Sequence, residues 1–216
     1  GAYVMLDAAQ TAPHQKIDVL DLDVDFLAFS GHKMLGPTGT GILYGKKDLL
    51  DKLDPLVVGG GNLETSFYDS YKFLEAPQKF EAGLQNYAGI YGLGEAIIYL
   101  EELGFENIEK QELELNKFVT EAIGNFPQVK IIGPKDPGLR GGIVSFYVDD
   151  FDSREIALMV DQLANVAIRS GQHCVHSWFN NKHLSGSARV SFYFYNTMEE
   201  AKIFVDTLEK VLKLKK

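Results

Sequence analysis

The chain has one cysteine in 216 residues, which excludes an internal disulfide and fits a reducing compartment, so a cytoplasmic protein is expected. No apolar run approaches the ~20 residues a membrane helix requires, and no basic-then-apolar leader opens the chain. Basic residues are in deficit: 21 Lys and Arg stand against 30 Asp and Glu, giving a formal net charge of −9. That balance argues against a nucleic-acid or anionic-membrane partner, since both need a basic face. What is present is ordinary for a globular protein, with 45% hydrophobic residues and a length that allows one or two domains with a real core.

The most informative stretch is Asp25 to Gly41. A short apolar run, Phe26 to Phe29, ends in Ser30-Gly31-His32-Lys33, with Gly36, Gly39 and Gly41 close behind. Ligands of open α/β sheets sit outside the carboxyl ends of strands. A lysine delivered there, in a partly dry pocket, can lose its proton and act as a base or form a Schiff base. Spacing alone favours a loop with a solvated lysine. A second stretch alters that balance: Tyr3-Val4-Met5-Leu6 reads as a buried strand, and it too ends in a polar cluster, Asp7-Ala8-Ala9-Gln10. Two strands then bring an acid and a lysine to one edge. Pyridoxal phosphate needs a lysine for its aldehyde, a carboxylate for its ring nitrogen, and hydroxyl or amide groups for its phosphate and phenolic oxygen. Asp7, Gln10, Ser30, His32 and Lys33 supply that set.

Between these stretches, Ile17 to Asp23 reads as a connection that packs Ile17, Val19, Leu20 and Leu22 inward. Asp18, Asp21, Asp23 and Asp25 lack the glycine and closing glutamate of a calcium loop, so no metal site is expected there. Ile42-Leu43-Tyr44 reads as a third strand, and 46–53 as a short helix stopped by Asp54-Pro55. A triple glycine, Gly59 to Gly61, opens an aromatic, irregular stretch that reaches Phe80. A helix is expected over 87–103, stopped by Gly104. Gly89, Gly92 and Gly94 weaken it by up to about 1 kcal/mol each, and tight packing is the expected reason for them. A second helix runs over 108–123.

The composition shift at Gly104-Phe105 marks the expected domain boundary, giving domains 1–104 and 105–216. The second reads as an α+β unit, with strands over 129–132, 142–148, 166–169 and 188–194. Asp152-Ser153 caps a helix over 154–163. Thr197-Met198-Glu199-Glu200 is a capping box that opens a final helix with Phe204, Leu208 and Leu212 in the core.

Two residues of this second unit invite chemistry. Cys174 lies in Gly171-Gln172-His173-Cys174-Val175-His176. A lone cysteine is most often a small buried hydrophobe. The neighbouring histidines and Arg169 make a reactive thiolate the second reading. A zinc site from His173, Cys174, His176 and His183 is a third, although the paired ligand spacing of structural zinc motifs is absent. Arg189 sits among apolar residues of its strand and needs a partner, either an acid of this chain or a ligand carboxylate matched to its planar fork.

Taken together, Asp7-Ala8-Ala9-Gln10, Ser30-Gly31-His32-Lys33 with Gly36-Pro37-Thr38-Gly39, Arg169 to Cys174, Arg189-Val190-Ser191 and Tyr195-Asn196-Thr197 resemble the ordered motifs of the class V aminotransferase-like, pyridoxal phosphate-dependent enzymes. The resemblance covers essentially the whole chain and is nearest to the group II (SUF-type) cysteine desulfurases and selenocysteine lyases. It implies an α/β chain of fold type I, made of the C-terminal part of the large cofactor-binding domain plus a small α+β domain. Family members are about twice as long, so a C-terminal fragment is expected.

By the same resemblance Lys33 carries pyridoxal phosphate, Asp7 holds its ring nitrogen, Gln10 its phenolic oxygen, and Ser30 and His32 its phosphate. Arg189 binds the carboxylate of L-cysteine or selenocysteine, and Cys174 accepts the sulfur. The implied protein is a homodimer that delivers sulfur to an acceptor protein, as in iron-sulfur cluster assembly. Leu84 stands where the family has a threonine that reaches the partner subunit's cofactor phosphate, Gln172 where a further histidine is usual, and the proline expected soon after the cysteine is absent. The rival readings are an aminotransferase or selenocysteine lyase without persulfide chemistry, and an inactive fragment or interaction module.

Overall fold

In the computed structural model, which describes residues 1–214, the two short apolar runs pair as neighbouring strands. β1 (Met5–Asp7) lies parallel to β2 (Phe26–Ser30), with Asp7 opposite Ala28. α1 (Val19–Leu22) belongs to the connection between them, capped by the Asp18 side chain. β3 (Gly41–Gly45) returns antiparallel to β2, so the sheet order is β1-β2-β3. After α2 (Lys47–Leu50), a hairpin of β4 (Leu63–Ser66) and β5 (Tyr71–Phe73) precedes the long α3 (Tyr87–Leu103). These elements form one compact unit, residues 1–105; a second begins at Glu106.

Several expectations change here. Tyr3, Val4 and Met5 are 73, 53 and 61% exposed rather than buried. Among the described residues β1 pairs with β2 alone, and a strand paired on one side has less to bury it. Leu20 and Leu22 are exposed too, since α1 is a single turn with no buried residue. The triple glycine is pinned rather than loose: buried Asn62 accepts from Gly59 N and donates to Val57 O and Lys79 O, while Gly83 N donates to Gly60 O. The stretch beyond it, read as irregular, holds the β4–β5 hairpin.

The second unit is α4 (Phe105–Gly124), β6 (Val129–Ile132), β7 (Ile143–Val148), α5 (Ser153–Ala164), β8 (Arg169–Gly171), α6 (His176–Asn181), β9 (Ser187–Ser191) and α7 (Met198–Leu214). Its four strands are antiparallel in the order β6-β7-β9-β8. Alternation on β7 sends Val144, Phe146 and Val148 into a core with Leu115 and Val119 of α4, Ile156 and Val160 of α5, and Phe204 and Leu208 of α7. Each such side chain removed from water contributes about 1.5–3 kcal/mol. The strand expected over 166–169 is displaced to Arg169–Gly171, and α6 falls in the cysteine loop, where no element was expected. Lys215 and Lys216, included in the expected second domain, lie outside the described residues.

Candidate functional site

Each unit carries one group of the residues singled out above. In the first, β1 and β2 run in parallel, so Asp7 and Ser30 finish at the same edge of the sheet. The ladder continues one step through Ala8 N donating to Ala28 O at 2.8 Å. The chain then turns, with Ala9 N donating to Asp7 Oδ1 at 3.0 Å, and Gln10 is left exposed. The second oxygen of Asp7 has no hydrogen-bond partner among the described residues.

Beyond Ser30 the chain makes one 3-10 turn, Gly31–Met34, which buries Gly31 and Met34 and leaves His32 and Lys33 exposed. The Lys33 side chain forms no hydrogen bond or ion pair with the described residues. The turn is closed by Gly36 N to Gly31 O and by Gly31 N to Thr40 O, both at 2.9 Å. A side chain at Gly31 would meet Thr40 Oγ1 at 2.2 Å, and one at Gly36 would meet Leu93 Cδ1 of α3 at 2.8 Å. The glycines of α3 answer to the same packing: a Cβ at Gly89 would meet Thr40 Cγ2, and one at Gly92 Pro37 Cγ, at 2.8 and 2.9 Å. α3 therefore supports the lysine turn through positions where only hydrogen fits. A Cβ at Gly94 would meet nothing, so that glycine is not explained by packing.

In the second unit, register places Ile132, Ser145, Arg189 and Arg169 in one row across the four strands. Directly opposed residues share a face. The row lies on the face away from Val144, Phe146 and Val190. Over it α6 brings Trp178 and Phe179, and together they line a largely apolar, open cleft of about 380 Å³ that Arg189 and His173 also line. Arg189 has no ion pair among the described residues, and its Nε is buried without a partner. The expected alternative of a structural salt bridge is thus not what is found. Burial first, and then Arg169 beside it, push Arg189 below the usual guanidinium value. A carboxylate entering the cavity would relieve both effects.

Cys174 is exposed, so it is not the small buried hydrophobe that its type alone suggests. It occupies a turn between β8 and α6, with His173 and Cys174 at φ 49° and 66°. His173 Nε2 lies 2.9 Å from Ser187 Oγ and 3.2 Å from Ser187 O on β9. Burial, then Arg189 and more weakly Arg169, lower the His173 pKa, against an opposing contribution from the bond to Ser187. Among the described residues no three His, Cys, Asp or Glu side chains are grouped to hold a metal, so the zinc reading finds no ligand set.

The α6 wall of the cavity was not anticipated. Its signal in the sequence is slight: the only tryptophan of the chain stands four residues after the only cysteine.

Comparison with known proteins places these features. The aminotransferase class-V family model matches residues 1–204. A probable cysteine desulfurase from Synechocystis sp. is 42% identical over 214 residues, 99% of this chain and 51% of that protein. The apo structure of cysteine desulfurase from Thermococcus onnurineus superposes with a TM-score of 0.93 at 38% identity, covering 98% of this chain and 53% of that one. The cysteine desulfurase CsdA from Escherichia coli follows at a TM-score of 0.91 and 32% identity, covering 98% and 52%. The chain thus spans about half the length of the relatives it matches. These likenesses agree with the expected α/β fold of type I. By a match over nearly its whole length, the chain belongs to the class-V aminotransferase family.

Proposed function

We propose that the protein containing this chain is a pyridoxal phosphate-dependent cysteine desulfurase, converting L-cysteine to L-alanine and taking the sulfur onto Cys174. The observation that carries this reading over the other chemistries of the family is Cys174 itself. It is exposed, and its turn is bonded to the strand of an arginine that has no acid partner among the described residues. Similarity to proteins named cysteine desulfurase supports it.

The residues of the first unit fit the cofactor in kind. Asp7 offers an unengaged carboxylate oxygen and Lys33 an unengaged amine at one sheet edge, with the Ser30 hydroxyl and the His32 imidazole beside the amine. In this proposal Lys33 holds the cofactor aldehyde, Asp7 its ring nitrogen, Gln10 its phenolic oxygen, and Ser30 and His32 its phosphate. When bound, the cofactor supplies a sink for the electrons set free next to the substrate's α-carbon.

The protein's own part follows from its groups. The Arg189 fork grips the carboxylate of L-cysteine in a bidentate pair. Lys33, free once the substrate's amine has taken its place, would take the α-proton and later return one to the α-carbon. The thiolate of Cys174 attacks the substrate sulfur, and the substrate's carbon–sulfur bond breaks with its electron pair going to carbon. That carbon takes up a proton and leaves as L-alanine, while the sulfur stays on Cys174 as a persulfide. In this reading 1–104 is the C-terminal part of the cofactor domain and 105–216 the small domain. The protein works as a cytoplasmic homodimer, and an acceptor protein collects the sulfur from exposed Cys174, iron-sulfur cluster assembly being the expected destination.

The test is to assay the full-length protein with L-cysteine, selenocysteine and a keto acid in parallel, before and after Cys174→Ser. Loss of alanine formation from cysteine on that change supports the desulfurase. Unchanged alanine formation refutes the nucleophile and leaves a lyase, and activity with the keto acid alone identifies an aminotransferase.

A further inference from the structure

Cys174 and its neighbour adopt a backbone conformation that residues with a Cβ rarely take. His173 and Cys174 are both left-handed, at φ 49° and 66°, and follow Gly171-Gln172, where Gly171 is at φ 109°. Such geometry persists only where the surroundings hold it. Within the turn itself the backbone contributes Val175 N to Gln172 O at 2.9 Å. Two side chains add to it: Gln172 Nε2 donates to Asn180 Oδ1 on α6 at 3.4 Å, and His173 Nε2 reaches the carbonyl and the hydroxyl of Ser187, which is fully buried on β9 two residues before Arg189.

The carbonyl of Ser187 can only accept, so the contact with both oxygens fits the tautomer whose Nε2 carries the proton and donates. The other ring nitrogen, Nδ1, is then an acceptor, and it is buried with no partner. A second proton there would meet a buried site beside Arg189 with nothing to receive its hydrogen bond, and the lowered pKa of the ring agrees with a neutral imidazole. A neutral ring can hold this bond to Ser187 without leaving a buried charge unanswered.

We propose that His173 is a positioning residue for the nucleophile: its bond to Ser187 fastens the turn that presents Cys174 to the strand that carries Arg189. The inference rests on the desulfurase reading above. The cavity wall adds to the hold, because the His173 ring lies 6.1 Å, centroid to centroid, from that of Phe179, which is buried on α6. The β8–β9 ladder sets the register up to Gly171, and the His173 side chain carries the link to the strand of Arg189 on into the turn of Cys174.

In the full-length enzyme loaded with pyridoxal phosphate, His173→Ala is expected to lower kcat for alanine formation by roughly 10- to 100-fold, the scale of a misplaced reacting group. KM for L-cysteine should stay within about twofold, because Arg189 is untouched. His173→Gln keeps an N–H donor of similar reach and should restore kcat to within about fivefold of the parent. Hydrogen exchange of the peptide spanning 171–176, read by mass spectrometry without substrate, should quicken in the alanine variant and return toward the parent rate in the glutamine variant.

An unchanged kcat in His173→Ala, a rise in KM that matches the fall in kcat, or a glutamine variant as impaired as the alanine one would each overturn the proposal. Should His173→Ala not fold, Ser187→Ala takes its place: it removes the hydroxyl acceptor and keeps the carbonyl. About a threefold loss in kcat at constant KM then supports the tie, and an unaltered kcat overturns it. Alanine formation that survives Cys174→Ser would instead sink the desulfurase reading, whichever way the His173 variants behave.

Discussion

At the scale of single residues, each unit holds polar groups left without partners among the described residues. The Lys33 side chain has no bond to the described residues, Asp7 uses one oxygen of two, and Arg189 keeps a buried Nε unpaired. A buried polar atom without a partner is costly, so a ligand that satisfies it is bound with that cost relieved. Arg189→Lys keeps the charge but loses the planar fork. A charge-assisted hydrogen bond contributes about 1.5–3 kcal/mol, so KM for L-cysteine should rise roughly 10- to 100-fold with a smaller change in kcat, as steady-state kinetics would measure. An equal KM would place the carboxylate elsewhere. Lys33→Ala should leave the full-length protein folded but without the visible absorbance of bound cofactor, read by spectrophotometry after adding pyridoxal phosphate.

Much of this was legible because the residue types announce their chemistry. The acid and the lysine that end two short apolar runs do stand at one sheet edge, as expected, and the ordered motifs pointed to the family whose model matches. His173 was legible only as a neighbour of Cys174. Its bond to Ser187 spans 14 residues and depends on β8 pairing with β9, which no local pattern records.

Among the elements, sequence speaks clearly where a local rule decides. The capping box is formed as its pattern predicts, with Glu200 N donating to Thr197 Oγ1 at 3.2 Å and Thr197 N to Glu200 Oε2 at 2.8 Å. Thr197→Ala should therefore cost about 0.5–2 kcal/mol in a denaturant titration. The α6 turn could not be read, since six residues are too few to show a helical period. Nor could β4–β5, whose turn at Phe67 to Ser70 has none of the Asn-Gly or Asp-Gly signals of a hairpin.

The start of the first sheet carries its own pH dependence. Asp25 accepts from Val4 N at 2.8 Å and pairs with Lys46 at 3.1 Å. The bond from Val4 first, and then Lys46, hold its carboxyl below the ordinary 3.8, against a smaller opposing effect of burial. The folded state thus favours the ionised form. Its contribution is complete above that ordinary value and is lost as pH falls through the lower folded one. Asp25→Asn should lower Tm near neutral pH, and the gap to the parent should close as thermal scans descend toward about pH 2. A gap that stays constant down to that pH would show that Asp25 acts through its shape and not its charge.

For the molecule as a whole, the two units carry different groups. The first presents a lysine and an acid at a sheet edge supported by a glycine-notched helix, and the second presents an exposed thiol in the turn after β8 and, on β9, an arginine with no ion pair among the described residues, over a well-filled core. Phe146 and Phe204 meet at the centre of that core, 6.3 Å between ring centroids, both essentially unexposed. Phe146→Ala should cost about 3–5 kcal/mol by chemical denaturation. The burial of strand β1 was misjudged at this scale, because exposure is set by what lies against a strand and not by its own residues.

The most direct measurement is to load the full-length protein with pyridoxal phosphate, add L-cysteine without any reductant, and locate the added sulfur by mass spectrometry of its peptides while counting the alanine released. The account predicts one sulfur atom on Cys174 for each alanine formed in the first turnover. Alanine released with Cys174 unmodified, or sulfur found on another residue, would contradict it.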